Sequence, residues 1–471
     1  MRMLRDGVDP DTRPHLDTRP HPGTGNHRTR RTAVARGGAH AAGAALAACG
    51  QAGGSGGDAA GSGPQAAHVA LTAYFGVQSD QLQGFEPQIA RTYAAERPNV
   101  EVQLLPQPPG GEAGMREKLA AMMAGGTPPD VWEYATIAET MVTLDWLLPL
   151  DEYLRKASFD SGAYAKGLYE HTARYQGKTW LVPYGHGGNT MVLALNPQLF
   201  AAAGVPLPGA TPNSTWSWNE FAETMQRVTR RQGDAVSQIG LANAGWFGSY
   251  PQLWQTDWVN ADLKTVVCDS PEMVECYSRF FDLVNRHRVL PRPGELESAL
   301  GVKTPLEAFT AGKAAATMVA PASVRTFTEP KLVELSLAPI PRAKVSTPDV
   351  NWHSFGLIKG TKQADAGFAF ARWLTDEARW SRFVRKIPAQ AQLQPPFLKE
   401  LFKDFAAPRL EAITGALAAA VPQTRLFRLT AYPQVSAAII EAFNRDLWTG
   451  QGDPGTVLKA LKGQLQGIVN T

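Results

Sequence analysis

Little in this chain points to metal, thiol or membrane-spanning chemistry. Three cysteines and nine histidines in 471 residues fall at no spacing, with one another or with aspartates, that would hold a metal ion. No apolar run is long enough to cross a bilayer. Charged residues make up 19% of the chain and hydrophobic ones 44%, the balance of an ordered globular protein. The net charge is +3. Residues 1–48 hold eight arginines and four aspartates, or +4, so the remainder stands at −1. No basic patch argues for nucleic acid. No carboxylate pair stands out as an acid–base dyad, and no cofactor is implied. Gly53-Gly-Ser-Gly-Gly57 has the nucleophile-elbow pattern but lies in a glycine-rich stretch, outside any strand–turn–helix. Gln176-Gly-Lys-Thr179 is half a phosphate loop, with Thr172 where the first glycine belongs.

What is present is an alternation of strands and helices. His68 to Tyr74 reads as a first strand, Leu82, Phe85, Ile89 and Tyr93 as one face of a helix, and Val100 to Leu105 as a second strand. Met115 to Ala124 is helical, and Thr127 to Tyr134 carries a third strand. That order means a parallel sheet covered by helices. At 471 residues one core does not suffice, and two lobes are expected. The stretch 177–200 is the natural passage between them: an apolar strand at Trp180–Pro183, a break at Gly185-His-Gly-Gly188, an apolar strand from Met191 to Leu195, and a helix opened by Asn196-Pro197. Glycines there supply the freedom a hinge needs. His186-Gly-Gly-Asn189 also resembles an esterase oxyanion loop, but without a placed nucleophile it reads as that hinge. Further on, Asn219-Glu220-Phe221 and Asp269-Ser270-Pro271-Glu272 read as helix starts. Trp352 to Ile358 reads as a return strand, and 430–471 as a helical tail.

Several of these pieces stand in a recognisable order. They are Gly177-Lys-Thr-Trp-Leu-Val-Pro-Tyr184, Lys118-Leu…Pro129-Asp-Val131, Leu147-Leu-Pro-Leu-Asp-Glu-Tyr-Leu154, Asp269-Ser-Pro-Glu272 and Phe309-Thr-Ala-Gly-Lys-Ala-Ala-Ala-Thr-Met318. Over residues 67–471 the chain resembles extracellular solute-binding protein family 1, the carbohydrate-binding lipoproteins that feed ABC importers. The resemblance implies an α/β, two-lobe periplasmic-binding-protein fold of type II, with a cleft between the lobes and several hinge crossings, near 186–190 and 350–354. The lobes would be 67–188 plus 353–405, and 189–352 plus 406–471. The partners implied are a carbohydrate and the permease subunits, for a monomeric chain. One departure is Ala320-Pro321-Ala322 where the family has Gly-Pro-Trp, which removes a stacking ring.

Ahead of these lobes, Arg28 to Arg31, a weak Ala/Gly-rich segment and Leu46-Ala-Ala-Cys49 resemble a bacterial lipoprotein leader, preceded by a polar segment 1–27. Cys49 would be the lipidated residue and 50–66 a flexible tether to the membrane. Arg30-Arg31 suggests twin-arginine export, and Arg36 within the apolar segment leaves the general secretory route equally open. With Cys49 lipidated, Cys268 and Cys276 remain in an oxidising compartment, and a disulfide between them is expected.

A sugar offers apolar faces and a rim of hydroxyls, so its site needs aromatic platforms and hydrogen-bonding groups. Ligands of open parallel sheets sit beyond the carboxyl ends of strands. Tyr74 and Phe75 end the first strand, and Trp132, Glu133 and Tyr134 the third. Tyr184, His186 and Asn189 lie at one crossing, Trp352 and His353 at another. Each ring taken alone reads more often as core; their common placement favours a pocket. Trp246, Trp254 and Trp258 fit either pocket or lobe packing, and Arg325 and Gln390 either hydroxyl binding or a solvated surface. Trp352, with Tyr134 or Trp254, is expected to stack on the sugar. His186 and His353 would bind hydroxyls while neutral and lose them below about pH 6.5. Two functions remain open: capture of a sugar for import, and secreted hydrolysis of glycosides or esters.

Overall fold

The computed structural model describes residues 68–470, apart from 77–78, 110, 135–137, 187–190, 234, 246, 322–334, 347–348, 351 and 404–408. The leader, Cys49, the tether, Gly187, Gly188, Asn189, Trp246 and Arg325 lie outside the described residues, and for Tyr134 only the backbone is described.

The strands in chain order are β1 (Val69–Phe75), β2 (Val100–Leu105), β3 (Val131–Tyr134), β4 (Arg174–Tyr175), β5 (Lys178–Thr179), β6 (Val182–His186) and β7 (Val192–Leu195), then β8 (Arg230–Gln232), β9 (Ala235–Leu241), β10 (Ala314–Val319), β11 (Ser336–Ala338), β12 (Asp349–Val350), β13 (Trp352–Leu357) and β14 (Val421–Pro422). They form two five-stranded sheets, ordered β2-β1-β3-β13-β6 and β11-β7-β10-β9-β8. β1 runs parallel to β2 and β3, and β13 runs antiparallel to both β3 and β6. The chain leaves the first sheet after β6, joins the second at β7, and returns through β12 to β13. β12 pairs with β14 in a separate two-stranded ribbon.

Alternation along each strand divides the first sheet's apolar residues between two faces. Phe75, Tyr184, Phe355 and Leu357 pack with Phe370, Leu374 and Trp380 on one side. Tyr74, Trp132, Leu181 and Trp352 pack with Met115, Leu119, Met141 and Leu168 on the other. The second sheet does the same: Leu193, Leu195 and Leu241 face Phe221, Met225 and Phe280, while Val192, Ala194 and Leu337 face Phe309 and Ile413. Phe397, Leu398 and Phe402 join this last cluster, so the helix Gln394–Leu401 packs toward the second sheet although its sequence position groups it with the first. Each buried Leu or Phe side chain contributes about 1.5–3 kcal/mol.

Helix starts follow local chemistry. Asn196 Oδ1 accepts from the Gln198 and Leu199 amides, with Pro197 at the position where a missing N–H costs nothing. Ser217 and Glu220 form a reciprocal capping box, so that helix begins at Trp218 and its cap lies two residues before Asn219. Ser270 Oγ accepts from Met273 N.

Candidate functional site

β1, β3 and β6 end at the same edge of the first sheet, and antiparallel β13 begins there. Trp352 lies opposite His186 and His353 opposite Gly185, while Phe75 lies opposite Glu133. Of the residues expected at strand ends and crossings, Tyr74 and Phe75 end β1, Trp132 and Glu133 lie on β3, Tyr184 and His186 on β6, and Trp352 and His353 open β13. The described side chains separate between the sheet's two faces, and β6 departs from simple alternation, with a register shift against β13 at His353/Ser354.

On one face Glu133 is wholly buried. Its Oε1 accepts from the Tyr184 hydroxyl at 2.5 Å and lies 3.1 Å from His353 Nδ1. Its Oε2 accepts from the Gly76 amide at 2.9 Å. Lys386 Nζ stands 2.9 Å from His353 Nε2. Burial alone would raise the Glu133 pKa, but the His353 hydrogen bond and the Lys386 charge hold it below the ordinary value. Burial, then the Lys386 charge, pushes His353 down to about 4. Burial lowers Lys386 to about 8. At neutral pH the group is therefore carboxylate, neutral imidazole and ammonium. His353 Nδ1 faces Glu133 Oε1, and Lys386 Nζ lies against the ring, 3.0 Å from Nδ1 and 2.9 Å from Nε2. The buried group ties β3, β6 and β13 to the segment that carries Lys386.

The same cluster shows what Gly185 is for. A Cβ there would stand 3.1 Å from Lys386 Cβ and 3.3 Å from the Ile387 carbonyl oxygen. His186 N donates to Ile387 O at 2.7 Å, and Ala389 N to Tyr184 O at 2.9 Å. Gly185 lies inside β6, where its lack of a side chain admits the 386–389 segment; within the described residues, close approach explains this glycine better than hinge freedom.

On the other face the Trp352 indole N–H donates to His186 Nδ1 at 3.3 Å, and Gln394 Nε2 stands 3.3 Å from His186 Nε2. Trp352 is 2% exposed and packs edge-on to Tyr164. Gln390 is half-buried and pairs its backbone with Tyr164. Burial takes His186 to about 3. Protonation of His186 and His353 near pH 6.5 is thus corrected: desolvation keeps both rings neutral far below that pH. Tyr74 and Trp132 are buried against each other, ring centroids 5.3 Å apart.

Trp254 and Trp258 sit in the second sheet's helical core. Trp254 packs on Trp218 at 5.0 Å; Trp258 packs on Tyr277 at 5.4 Å and donates to Gly248 O. The expected disulfide is also corrected. Cys268 and Cys276 are separate buried free thiols. The helix capped by Ser270 carries Cys276 into its own apolar face, while Cys268 Sγ faces Leu458 O at 3.5 Å.

Sequence reasoning missed the residues that join the two halves of the chain. Lys386, Ser381 and Gln394 lie in no motif. Asp257 and Asp349 are buried acids near the β12–β14 ribbon. Asp257 accepts from the Thr424 hydroxyl at 2.6 Å and the Arg425 amide at 3.0 Å, and Asp349 from Ser249 Oγ at 2.8 Å. Burial raises Asp349 to about 7. Glu139, on the helix Ala138–Thr143 packed against the first sheet, pairs with Arg428, beside the second sheet's core. Among the described residues no group of three or more His, Cys, Asp or Glu could hold a metal ion, and no helix is long and apolar enough to cross a membrane.

Comparison with solved structures places this architecture. A substrate-binding protein of Listeria monocytogenes, Lmo0181, in complex with cycloalternan, superposes with a TM-score of 0.68 at 19% identity, over 85% of this chain and 98% of that one. The GacH receptor of Streptomyces glaucescens, solved unliganded and with acarbose, gives 0.65 at 19% identity, over 86% and 99%. UgpB of Mycobacterium tuberculosis, in complex with glycerophosphocholine, gives 0.67 at 16%, over 87% and 99%. These likenesses give a two-lobe α/β fold with several crossings. No curated protein sequence matches the chain. The family of bacterial extracellular solute-binding proteins matches residues 77–378, well over half of the chain, and the chain belongs to that family.

Proposed function

We propose that this protein is the solute-capturing component of an ABC importer, that it binds a sugar or oligosaccharide between its two lobes, and that it hands the sugar to the permease as a monomer. The lobes are centred on the two sheets. Cys49 carries the lipid that holds the chain at the outer face of the membrane, and residues 50–66 are its tether. The observation that carries the reading is the pair of sheets joined by repeated chain passages, with polar groups gathered where the first sheet's strands end, in a chain of the solute-binding family. Such an architecture closes on a ligand by hinge motion. The cycloalternan and acarbose complexes of similar proteins favour carbohydrate as the solute class. The hydrolase alternative is not favoured, because the family and the similar structures are binding proteins.

The test is a thermal-shift and calorimetry panel of maltose, maltotriose, mannotriose and glycerophosphocholine, with product analysis after incubation. Binding of a sugar without turnover supports the proposal. Turnover establishes the hydrolase, and binding of glycerophosphocholine alone replaces sugar with a phosphodiester. Radiolabelled fatty acid incorporated by the wild type but not by Cys49→Ser tests the anchor.

A further inference from the structure

Between the helices Ala364–Thr375 and Arg379–Val384 the chain turns through two consecutive left-handed residues, Glu377 (φ 52°) and Ala378 (φ 56°). A third, Arg385 (φ 54°), ends the second helix. None is glycine or asparagine, and an L-residue is strained in this conformation because its Cβ crowds the backbone carbonyl. The local sequence gives no reason for the break. Thr375-Asp-Glu-Ala-Arg-Trp380 holds no glycine or proline, and the helix that begins at Arg379 has no side-chain cap. Glu, Ala and Arg are good helix formers. Left to itself, 364–384 would continue as one helix.

Packing imposes the break. Trp380 is wholly buried, its ring 4.6 Å from Phe75 and close to Tyr184 and Phe355. Ser381, also wholly buried, donates to the Tyr184 carbonyl at 3.0 Å. Just beyond Arg385, Lys386 meets His353, Ile387 O accepts from the His186 amide at 2.7 Å, and the Ala389 amide donates to Tyr184 O at 2.9 Å. Ile387 belongs to the cluster of Val192, Ala194 and Leu337 on the second sheet, as does Phe397 after it. The helix Arg379–Val384 thus seats on the first sheet where the chain passes to the second. It is a six-residue unit with a strained joint at each end. Residues at the ends of elements absorb the φ/ψ change when packed parts move against one another.

We propose that the helix Arg379–Val384 is a strained lever on this passage. Seated, it holds the 386–389 segment against β6. Unseated, it joins the preceding helix, relieves the left-handed joint at 377–378, and releases Lys386, Ile387 and Ala389 from β6 and β13. The strain sets how often the seat opens, and thereby how freely the two lobes move. The lever acts whatever solute is bound.

The test uses the full chain without solute. The Glu377 side chain is 77% exposed, so it can be exchanged without repacking the core, and its ion pair with Arg379 contributes little. Glu377→Gly removes the strain at its position. Glu377→Val increases it, because a β-branched residue resists positive φ. Both variants lose the same charge. The melting temperature should rise by about 1–3 °C in Glu377→Gly and fall by a similar amount in Glu377→Val. In residue-resolved hydrogen exchange, the amides of His186, Lys386 and Ala389 should slow several-fold in the first and speed up in the second, beyond any change within Ala364–Thr375. Scattering should give a smaller radius of gyration for Glu377→Gly than for Glu377→Val. A melting temperature lowered by glycine, as inside an ordinary helix, overturns the strain. A raised one, with the three amides changing no more than those of Ala364–Thr375, overturns the lever and leaves a rigid strained turn. Equal or reversed radii of gyration overturn its coupling to lobe motion.

Discussion

Glu133 and His353 come from strands side by side in the first sheet and meet 3.1 Å apart, with the carboxylate wholly buried. Two more elements depend on that carboxylate: Tyr184 on β6 through its hydroxyl, and Lys386 through the imidazole it faces. Glu133→Gln keeps the shape and removes the charge that balances Lys386. Removing one member of a buried charged network strands the other, and we expect a loss of about 2–3 kcal/mol in urea unfolding. A loss below about 0.5 kcal/mol would mean that Lys386 finds its balance elsewhere.

Gly185 gives a second test of the same junction. A methyl group there must fit 3.1 Å from Lys386 Cβ and 3.4 Å from Ser381 Oγ. Overpacking of this kind costs about 1–3 kcal/mol. Gly185→Ala should lower the melting temperature without changing the number of sugars bound per chain. An unchanged melting temperature would return this glycine to the hinge role.

The strand–helix order, the strand-end edge and the passage through 177–200 were legible because each is written locally. β2 alternates, Asn196-Pro197 and Ser270-Pro271 announce helix starts, and the glycines interrupt apolar runs. The faces were not legible. Trp352 and His353 are neighbours in sequence, yet the pleat sends one to Tyr164 and the other to Glu133. Trp352, at 2% exposure with its N–H given to His186, packs this edge of the sheet. Nor could the sequence pair Glu133 with Lys386, or Glu139 with Arg428, because those partners are joined by folding alone.

The buried titratable groups set the pH dependence of stability. His171 is pushed to about 4 by burial, with Arg428 and Arg425 adding to it. His186 lies at about 3 and His353 at about 4. Each binds its proton more readily unfolded, near pH 6.5. Their stabilisation is complete above about pH 6.5 and is lost as pH falls toward 4. Asp349, raised to about 7, has the opposite sign: its contribution is complete below about pH 4 and is lost as pH rises to 7. Three groups oppose one, so the wild-type melting temperature should fall steadily from pH 6.5 to 4. Asp349→Asn should gain stability relative to wild type between pH 4 and 7. A melting temperature that rises on acidification over that range would reverse the assignment.

The Glu139–Arg428 pair joins an element packed on the first sheet to one packed beside the second, with side chains only 19% and 25% exposed. An ion pair so placed lends its energy to whichever arrangement brings the lobes together. A closing ligand gains from it, because ligand and pair favour the same state. The measurement is a double-mutant cycle on sugar affinity with Glu139→Gln, Arg428→Gln and the two combined, alongside scattering with and without ligand. At this partial burial the coupling should reach about 1–2 kcal/mol, more than an exposed pair provides. Each single variant should weaken binding, and the radius of gyration should fall on ligand addition in wild type and less in the variants. Additive effects on affinity, together with an unchanged radius of gyration in wild type, would mean that the pair braces a fixed interface and takes no part in closure.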